Sequence, residues 1–223
     1  MTNSGRLFNS FGRKIGKRLG QESKNLISNV LLNYQVDLPE LMRSTQKLYL
    51  EIGSGNGDYV VKYALNNQDT ICIGCEPYLN GVANTMKKII EHNITNIRIW
   101  SDDARILLDQ LPNSMFDCAY ILFPDPWPKK KQHKRRLISK EFIEVLHNKL
   151  KPQAQLNIAT DHEDYAKWVL AYMLESKVFC WQAKSANDWL TPFEYISTTK
   201  YYKKAESKNL LSYFFRFIND KIN

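Results

Sequence analysis

Carboxylates recur along this chain at or just after the ends of short apolar runs: Glu51, Glu76, Asp102 with Asp103, Asp125 and Asp161. Acids gathered at successive strand ends of one sheet would form a rim that accepts hydrogen bonds from hydroxyls and amines, favours a cation and repels phosphate. Asp125 has the most restrained context, Phe123-Pro124-Asp125-Pro126-Trp127-Pro128. Proline on both sides limits its backbone to an extended form, so its side chain is aimed with little freedom. A carboxylate fixed beside an indole can act as an acid or base, or as a standing charge that stabilises a developing cation; the same turn could simply close a buried strand. Lys129, Lys130, Lys131, His133, Lys134, Arg135 and Arg136 follow, with no acid before Glu141. Beside an acidic pocket such a run suits a row of phosphate contacts, though a charge run also serves as a solvated face.

These residues need elements to hold them. From Leu48 onward the chain repeats an apolar run, a turn and an amphipathic run. The pattern predicts strands at Leu48–Ile52, Thr70–Cys75, Ile97–Trp100, Asp117–Phe123 and Gln155–Ala159. Helical stripes of Val82, Met86, Ile89 and Ile90, and of Tyr165, Trp168, Val169, Tyr172 and Met173, complete the alternation. Repeated β-then-α order predicts an α/β fold with a mostly parallel, doubly wound sheet. Two later runs, Val178–Ala183 and Leu210–Ile218, read as strands joined by a long polar loop, the last pairing antiparallel as a closing hairpin. Ahead of the sheet, residues 1–24 carry Arg6, Arg13, Lys14, Lys17, Arg18 and Lys24 against a single acid, Glu22. They read as a flexible basic arm, ordered by RNA or merely solvated, and a short helix over Glu22–Asn33 follows, so residues 1–35 form an appendage to one domain.

The segment Glu51-Ile52-Gly53-Ser54-Gly55-Asn56-Gly57-Asp58 joins the first strand to its helix, where open parallel sheets bind nucleotides. Gly53 and Gly55 let the backbone approach a ligand closely. A dinucleotide fingerprint requires a third glycine at position 58, and Asp58 in that place would repel a pyrophosphate at the helix N-terminus. The loop therefore argues against NAD and for a cofactor with positive charge and no phosphate; S-adenosylmethionine, a sulfonium and an amino acid, fits. Glu76, in Gly74-Cys75-Glu76-Pro77, can accept from both ribose hydroxyls or start a helix ahead of Pro77. In Ser101-Asp102-Asp103-Ala104 one carboxylate can accept from an adenine amino group, and both can equally be helix N-caps. Asp161 can cap the next helix or accept from guanine N1–H and N2–H₂.

A chain of 223 residues with a formal charge of +8 suits one α/β domain and a polyanionic partner. Four cysteines spread through predicted strands, without a signal peptide, read as reduced thiols of a cytoplasmic protein. Cys72 and Cys75 would point to opposite faces of one strand, and His92, His133, His147 and His162 form no ligand-spaced motif, so no metal is expected. No apolar run approaches the roughly 18 residues of a membrane span.

Taken together, Leu50-Glu51-Ile52-Gly53, Gly74 to Pro77, Asp103-Ala104, Phe123 to Trp127, Lys134-Arg135-Arg136 and Ala159-Thr160-Asp161 resemble the bacterial tRNA (guanine-N7-)-methyltransferases, from about Leu48 to Phe217. The resemblance implies a Rossmann-like class I methyltransferase domain over residues 36–223, with S-adenosyl-L-methionine as cofactor and tRNA as partner. It implies as target a guanosine at position 46 in the tRNA variable loop, converted to 7-methylguanosine. It further implies that Glu51, Glu76, Asp103 and Asp125 line the cofactor site, that Asp125 is also catalytic, and that Lys129 and Asp161 contact the RNA. The family's Thr-x-Phe-Glu motif falls on Thr199-Lys200-Tyr201-Tyr202, with Tyr202 in place of the glutamate, and a phenol cannot accept two bonds as a carboxylate does. Thr191-Pro192-Phe193-Glu194 is similar to the motif but lies early for the last strand. Trp127 and Tyr201 are candidates to stack on an extruded base, Trp127 with a core role as the alternative. An amino-directed (adenine N6-type) methyltransferase, from a related Asp-Pro-Pro-aromatic pattern, and a non-catalytic RNA-binding protein are the rival readings. Monomer and homodimer both remain open.

Overall fold

A computed structural model describes residues 18–220, so Arg6, Arg13, Lys14 and Lys17 of the expected basic arm lie outside the described residues. Helix α1 (Gln21–Asn25) runs into a π-helical turn, Leu26–Val30, and a 3-10 turn, Leu31–Tyr34, where the sequence predicts one helix; the changing pitch turns Leu31 into the core. Helix α2 (Leu38–Arg43) begins at Asp37, whose carboxylate accepts from the Glu40 N–H at 3.1 Å. The alternation then follows as β1 (Lys47–Ile52), α3 (Asp58–Asn66), β2 (Thr70–Cys75), α4 (Leu79–Glu91), β3 (Ile97–Trp100), α5 (Ala104–Gln110), β4 (Phe116–Leu122), α6 (Lys140–Lys149), β5 (Leu150–Thr160) and α7 (Glu163–Ser176). β5 starts at Leu150 rather than Gln155 because Leu150 pairs with Phe116 across a register shift in β4.

Strands β6 (Phe179–Trp181) and β7 (Tyr213–Asn219) complete a seven-stranded sheet in the order β3-β2-β1-β4-β5-β7-β6. β1 to β5 are parallel, and β7 lies antiparallel between β5 and β6. The final strand thus pairs antiparallel with β6, as expected of a closing hairpin, and its other side joins the sheet through β5, which leaves β6 as the edge. The stretch read as a polar loop carries α8 (Ala186–Leu190) and α9 (Lys200–Ser207). Helices of five and eight residues are too short to show a 3.6-residue stripe. Tertiary contacts hold the connection instead: Phe193 and Ile196 are buried, and Arg216 donates to the carbonyls of Asp188, Thr191 and Pro192 at 3.0–3.2 Å.

Both sheet faces are covered. Leu48, Leu50 and Ile52 of β1 pack on the side of α5, α6 and α7, whereas Tyr49 and Glu51 face α3 and α4. Cys72 and Cys75 are buried in the two opposite cores, so their thiols cannot share one ion. Among the described residues no helix is long and apolar enough to cross a membrane.

Candidate active site

The carboxyl ends of β1 and β4 and the start of α9 line a shallow cleft bounded by Glu51, Gly53, Gly55, Asp58, Phe123 and Tyr201. Its floor is Glu51, 2% exposed, which accepts a hydrogen bond from the Tyr49 hydroxyl at 3.1 Å. Burial pushes the Glu51 carboxyl up to about 8; the Tyr49 hydroxyl opposes the shift and Asp58 nearby adds to it. Gly53 and Gly55 adopt positive φ (+77° and +55°), and a Cβ built on either meets nothing within 4 Å. Bare backbone therefore faces the cleft where a ligand would lie.

Glu76 shapes this loop from the end of β2. One oxygen accepts from the Gly55 N–H at 2.7 Å and the other from the Tyr78 N–H at 2.8 Å. Each oxygen keeps a further lone pair for a hydroxyl. Burial raises the Glu76 carboxyl too, against the pull of those two bonds. Asp103 resolves differently: it is the N-cap of α5, accepting from the Arg105 N–H at 3.0 Å, and the Arg105 guanidinium holds its carboxylate at 2.6 and 2.9 Å. Asp102 in turn accepts from the Asp103 N–H at 2.8 Å, outside the helix, so the capping role falls to Asp103 and not to Asp102.

The Asp-Pro-Trp turn leaves β4 through two residues with left-handed backbone, Phe123 at φ +50° and Trp127 at +44°. Such conformations cost about 1–3 kcal/mol each and persist where surroundings enforce them. Here the Phe123 N–H is held by the Ala159 carbonyl at 2.8 Å, and the Pro126 carbonyl accepts from Arg136 Nε at 2.9 Å. Asp125 between them is exposed, and its charge is felt at Glu76, Tyr165 and Tyr201.

The basic run divides. Lys129, Lys130 and Lys131 are exposed. Arg136 is 5% exposed, with its guanidinium over Trp168 (4.8 Å) and Tyr165 (5.2 Å) and paired with Asp164. Its expected place among the phosphate contacts is therefore corrected: Arg136 is a buried brace under the turn. Arg135 lies over the Trp127 ring at 4.9 Å, so one face of that half-buried indole is already covered. Asp161 is half-buried beyond β5, and the N-cap of α7 is His162, so Asp161 does not cap that helix.

Of the last motif, Thr199, Lys200 and Tyr201 line the cleft. Thr199 is the N-cap of α9, its hydroxyl accepting from the Tyr202 N–H at 3.3 Å and donating to the Ile196 carbonyl at 2.8 Å. Tyr201, 52% exposed, faces Phe123 with ring centroids 6.5 Å apart and planes 26° apart. Tyr202 is outside the cleft lining, against Phe214, with its phenol beside Glu206. Phe193, in the earlier look-alike of the motif, is core, and Glu194 is exposed outside the cleft lining.

The structure thus gathers Glu51, Gly53, Gly55, Thr199, Lys200 and Tyr201 in one cleft, sets Glu76 and Asp125 beside it, and leaves Asp103 and Tyr202 committed elsewhere. Sequence reasoning missed Asp58 and Phe123 as cleft residues, and the brace Arg136. Asp58 carried a signal, since an acid where a fingerprint expects glycine needs a use of its own; Arg136 carried none, because nothing in a charge run distinguishes its buried member.

Comparison with known proteins gives the same direction. Residues 45–214 match the model of a family described as "Putative methyltransferase". The tRNA (guanine-N(7)-)-methyltransferase of Hyphomonas neptunium is 40% identical over 208 residues, covering 90% of this chain and 93% of that protein. A bifunctional methyltransferase of Rickettsia prowazekii is 38% identical over 200 residues, 90% of this chain but 38% of that longer protein. Among solved structures, the 16S rRNA methyltransferase KamB aligns with a TM-score of 0.60 at 14% identity, covering 94% of this chain and 99% of that one, a likeness of fold.

Proposed function

We propose the function from one premise: the chain belongs to the tRNA (guanine-N7-)-methyltransferase family. It is a methyltransferase that acts on N7 of a guanosine in tRNA. The cofactor in this proposal is S-adenosyl-L-methionine. The observation that carries the reading is the cleft itself, in which a buried carboxyl, bare glycine backbone and the Glu76-held loop meet the rings of Phe123 and Tyr201. That set of groups fits a ligand with positive charge and hydroxyls and no phosphate, since Asp58 on the lining, and Glu51 once a cationic ligand has displaced its proton, would repel phosphate.

S-adenosyl-L-methionine, when bound, supplies an electrophilic methyl group whose positive charge moves with it. Guanine N7 has a free lone pair, so no residue has to remove a proton. The protein's work is alignment, worth up to about 7–11 kcal/mol when reacting atoms are held at near-attack distance. Glu51 and the Gly53–Gly55 backbone hold the amino-acid end, and Glu76 accepts from the ribose. Phe123 and Tyr201 flank the mouth and orient a planar base, while Asp125 presents a fixed negative charge as the purine becomes cationic. Lys129 to Lys131 receive the RNA backbone, and Asp161 is placed to accept from the guanine edge. The target is the guanosine at position 46 of the variable loop. The reaction takes place in the cytoplasm, in keeping with four cysteines that all stand as free thiols.

The test is incubation with unmodified tRNA and methyl-labelled cofactor, followed by nucleoside analysis. 7-Methylguanosine is expected. Label in 6-methyladenosine would favour the amino-directed reading instead, and absence of label with retained RNA binding would favour a non-catalytic protein.

A further inference from the structure

Asp58 is the one acid of the cleft with contacts on both sides of it. It stands at the first position of α3, directly after the cofactor loop. One carboxylate oxygen pairs with Lys88 of α4, and the same ammonium donates to the Asn56 carbonyl at 2.8 Å, tying the middle of the loop to Asp58. The other oxygen accepts from the backbone N–H of Lys200, the first residue of α9, at 3.1 Å. A single carboxylate therefore sits at the N-termini of two helices, each of which favours negative charge. One of those helices follows directly on the cofactor loop, and the other begins one residue before Tyr201. A shift of Asn56 or Asp58 on ligand binding must be felt at Lys200.

We propose that Asp58 is a positioning residue that couples the two halves of the cleft: an occupied cofactor loop fixes Asp58, Asp58 fixes the start of α9, and Tyr201 is thereby set for the RNA base. The tRNA arm of this inference rests on the function proposed above; the coupling inside the protein does not. Cofactor and tRNA then bind with positive cooperativity, each tightening the other by the same factor.

The decisive comparison is Lys200→Ala with Lys200→Pro. Alanine keeps the N–H that Asp58 accepts; proline removes it, yet proline is well tolerated at a first helical position, and Thr199 has the extended backbone (φ −73°, ψ 140°) that precedes proline. S-adenosylhomocysteine is the probe, read by amide exchange over residues 201–204 and by tRNA affinity with and without it. In wild type and Lys200→Ala, S-adenosylhomocysteine should slow that exchange and tighten tRNA binding about fivefold or more. In Lys200→Pro the two effects should vanish while S-adenosylhomocysteine still binds, and in Asp58→Asn, which loses the ion pair with Lys88 and weakens the bond from the Lys200 N–H, they should shrink. Coupling that survives Lys200→Pro overturns the proposal, as does wild-type exchange that ignores the probe. If exchange responds through Asp58 but no tRNA is methylated, the coupling stands and the RNA reading falls.

Discussion

The two halves of the cleft hold their charged groups by opposite means. On the cofactor side Glu51, Glu76 and Asp58 are partly or fully buried, and each accepts hydrogen bonds from the protein itself. On the side proposed to meet RNA, Asp125, Lys129 and Tyr201 are exposed, and order comes from beneath, through the left-handed Phe123 and Trp127 and the Arg136 brace on the Pro126 carbonyl. A small ligand can be selected by groups fixed in advance in a buried wall. A base drawn out of a folded RNA has to be met at the surface, where side chains have no such wall and the backbone must aim them.

If that division is real, Asp125→Ala should separate chemistry from cofactor binding more than any other change. Loss of a fixed charge at a developing cation costs about 10²–10³ in kcat. Single-turnover methylation is the measurement, with S-adenosylhomocysteine affinity expected to stay within a fewfold of wild type. An unchanged single-turnover rate would remove Asp125 from the chemistry and blur the two halves.

Arg136→Ala tests the brace. It leaves the Pro126 carbonyl without its donor and removes a cation packed on two rings, a loss of about 2–3 kcal/mol. For a chain of this size that lowers Tm by roughly 5–10 °C. The salt dependence of tRNA binding should be unaltered, because this guanidinium is inside the protein. A reduced salt slope would return Arg136 to the phosphate contacts.

The contrast also explains what the sequence disclosed. Thr70–Cys75 was legible to the residue because a strand buried on both faces is written as a short apolar run between turns, and Ile97–Trp100 because buried Ile97 and Ile99 alternate with half-buried Arg98 and Trp100. Glu51, Glu76 and the glycines were legible for the same reason: strand ends locate them. α9 was not, since eight mostly polar residues are too short a window for their period to stand out, and the helix is fixed by the Thr199 cap and by Asp58, more than a hundred positions away in sequence. The family motif located Thr199–Tyr201 without revealing that they begin a helix or that Tyr202 turns toward Phe214. Arg135 and Arg136 look like their lysine neighbours in sequence, and only packing against Trp127, Trp168 and Tyr165 tells them apart.

Glu51 gives a pH test confined to the cofactor side. Its carboxyl is raised from 4.5 to about 8, so the free protein keeps a proton there that an unfolded chain would release. The stability this contributes is complete below about 4.5 and is lost as pH rises through about 8. A cationic ligand prefers the carboxylate, so binding must expel that proton at lower pH. Affinity for S-adenosyl-L-methionine should rise up to about tenfold per pH unit and level off above about 8. Glu76 is shifted the same way, so Glu51→Gln should remove one proton's worth of slope rather than all of it. Calorimetry in buffers of different ionisation enthalpy counts the proton directly; no difference between wild type and Glu51→Gln would show that Glu51 is already ionised.

The smallest effect is expected from the lysines, which act one phosphate at a time. Lys129, Lys130 and Lys131 are exposed and outside the cleft lining, so replacing them with alanine should leave Tm, cofactor affinity and the single-turnover rate at saturating tRNA unchanged. Removing an ammonium that neutralises one phosphate should flatten the plot of log affinity against log salt by about 0.7–0.9 and weaken tRNA binding severalfold at moderate ionic strength. The three substitutions should be close to additive, because solvated cations on a surface share no buried partner. An unchanged slope in the triple variant would move the RNA backbone away from this face. The exposed side of the cleft would then be defined by Asp125 and Tyr201 alone.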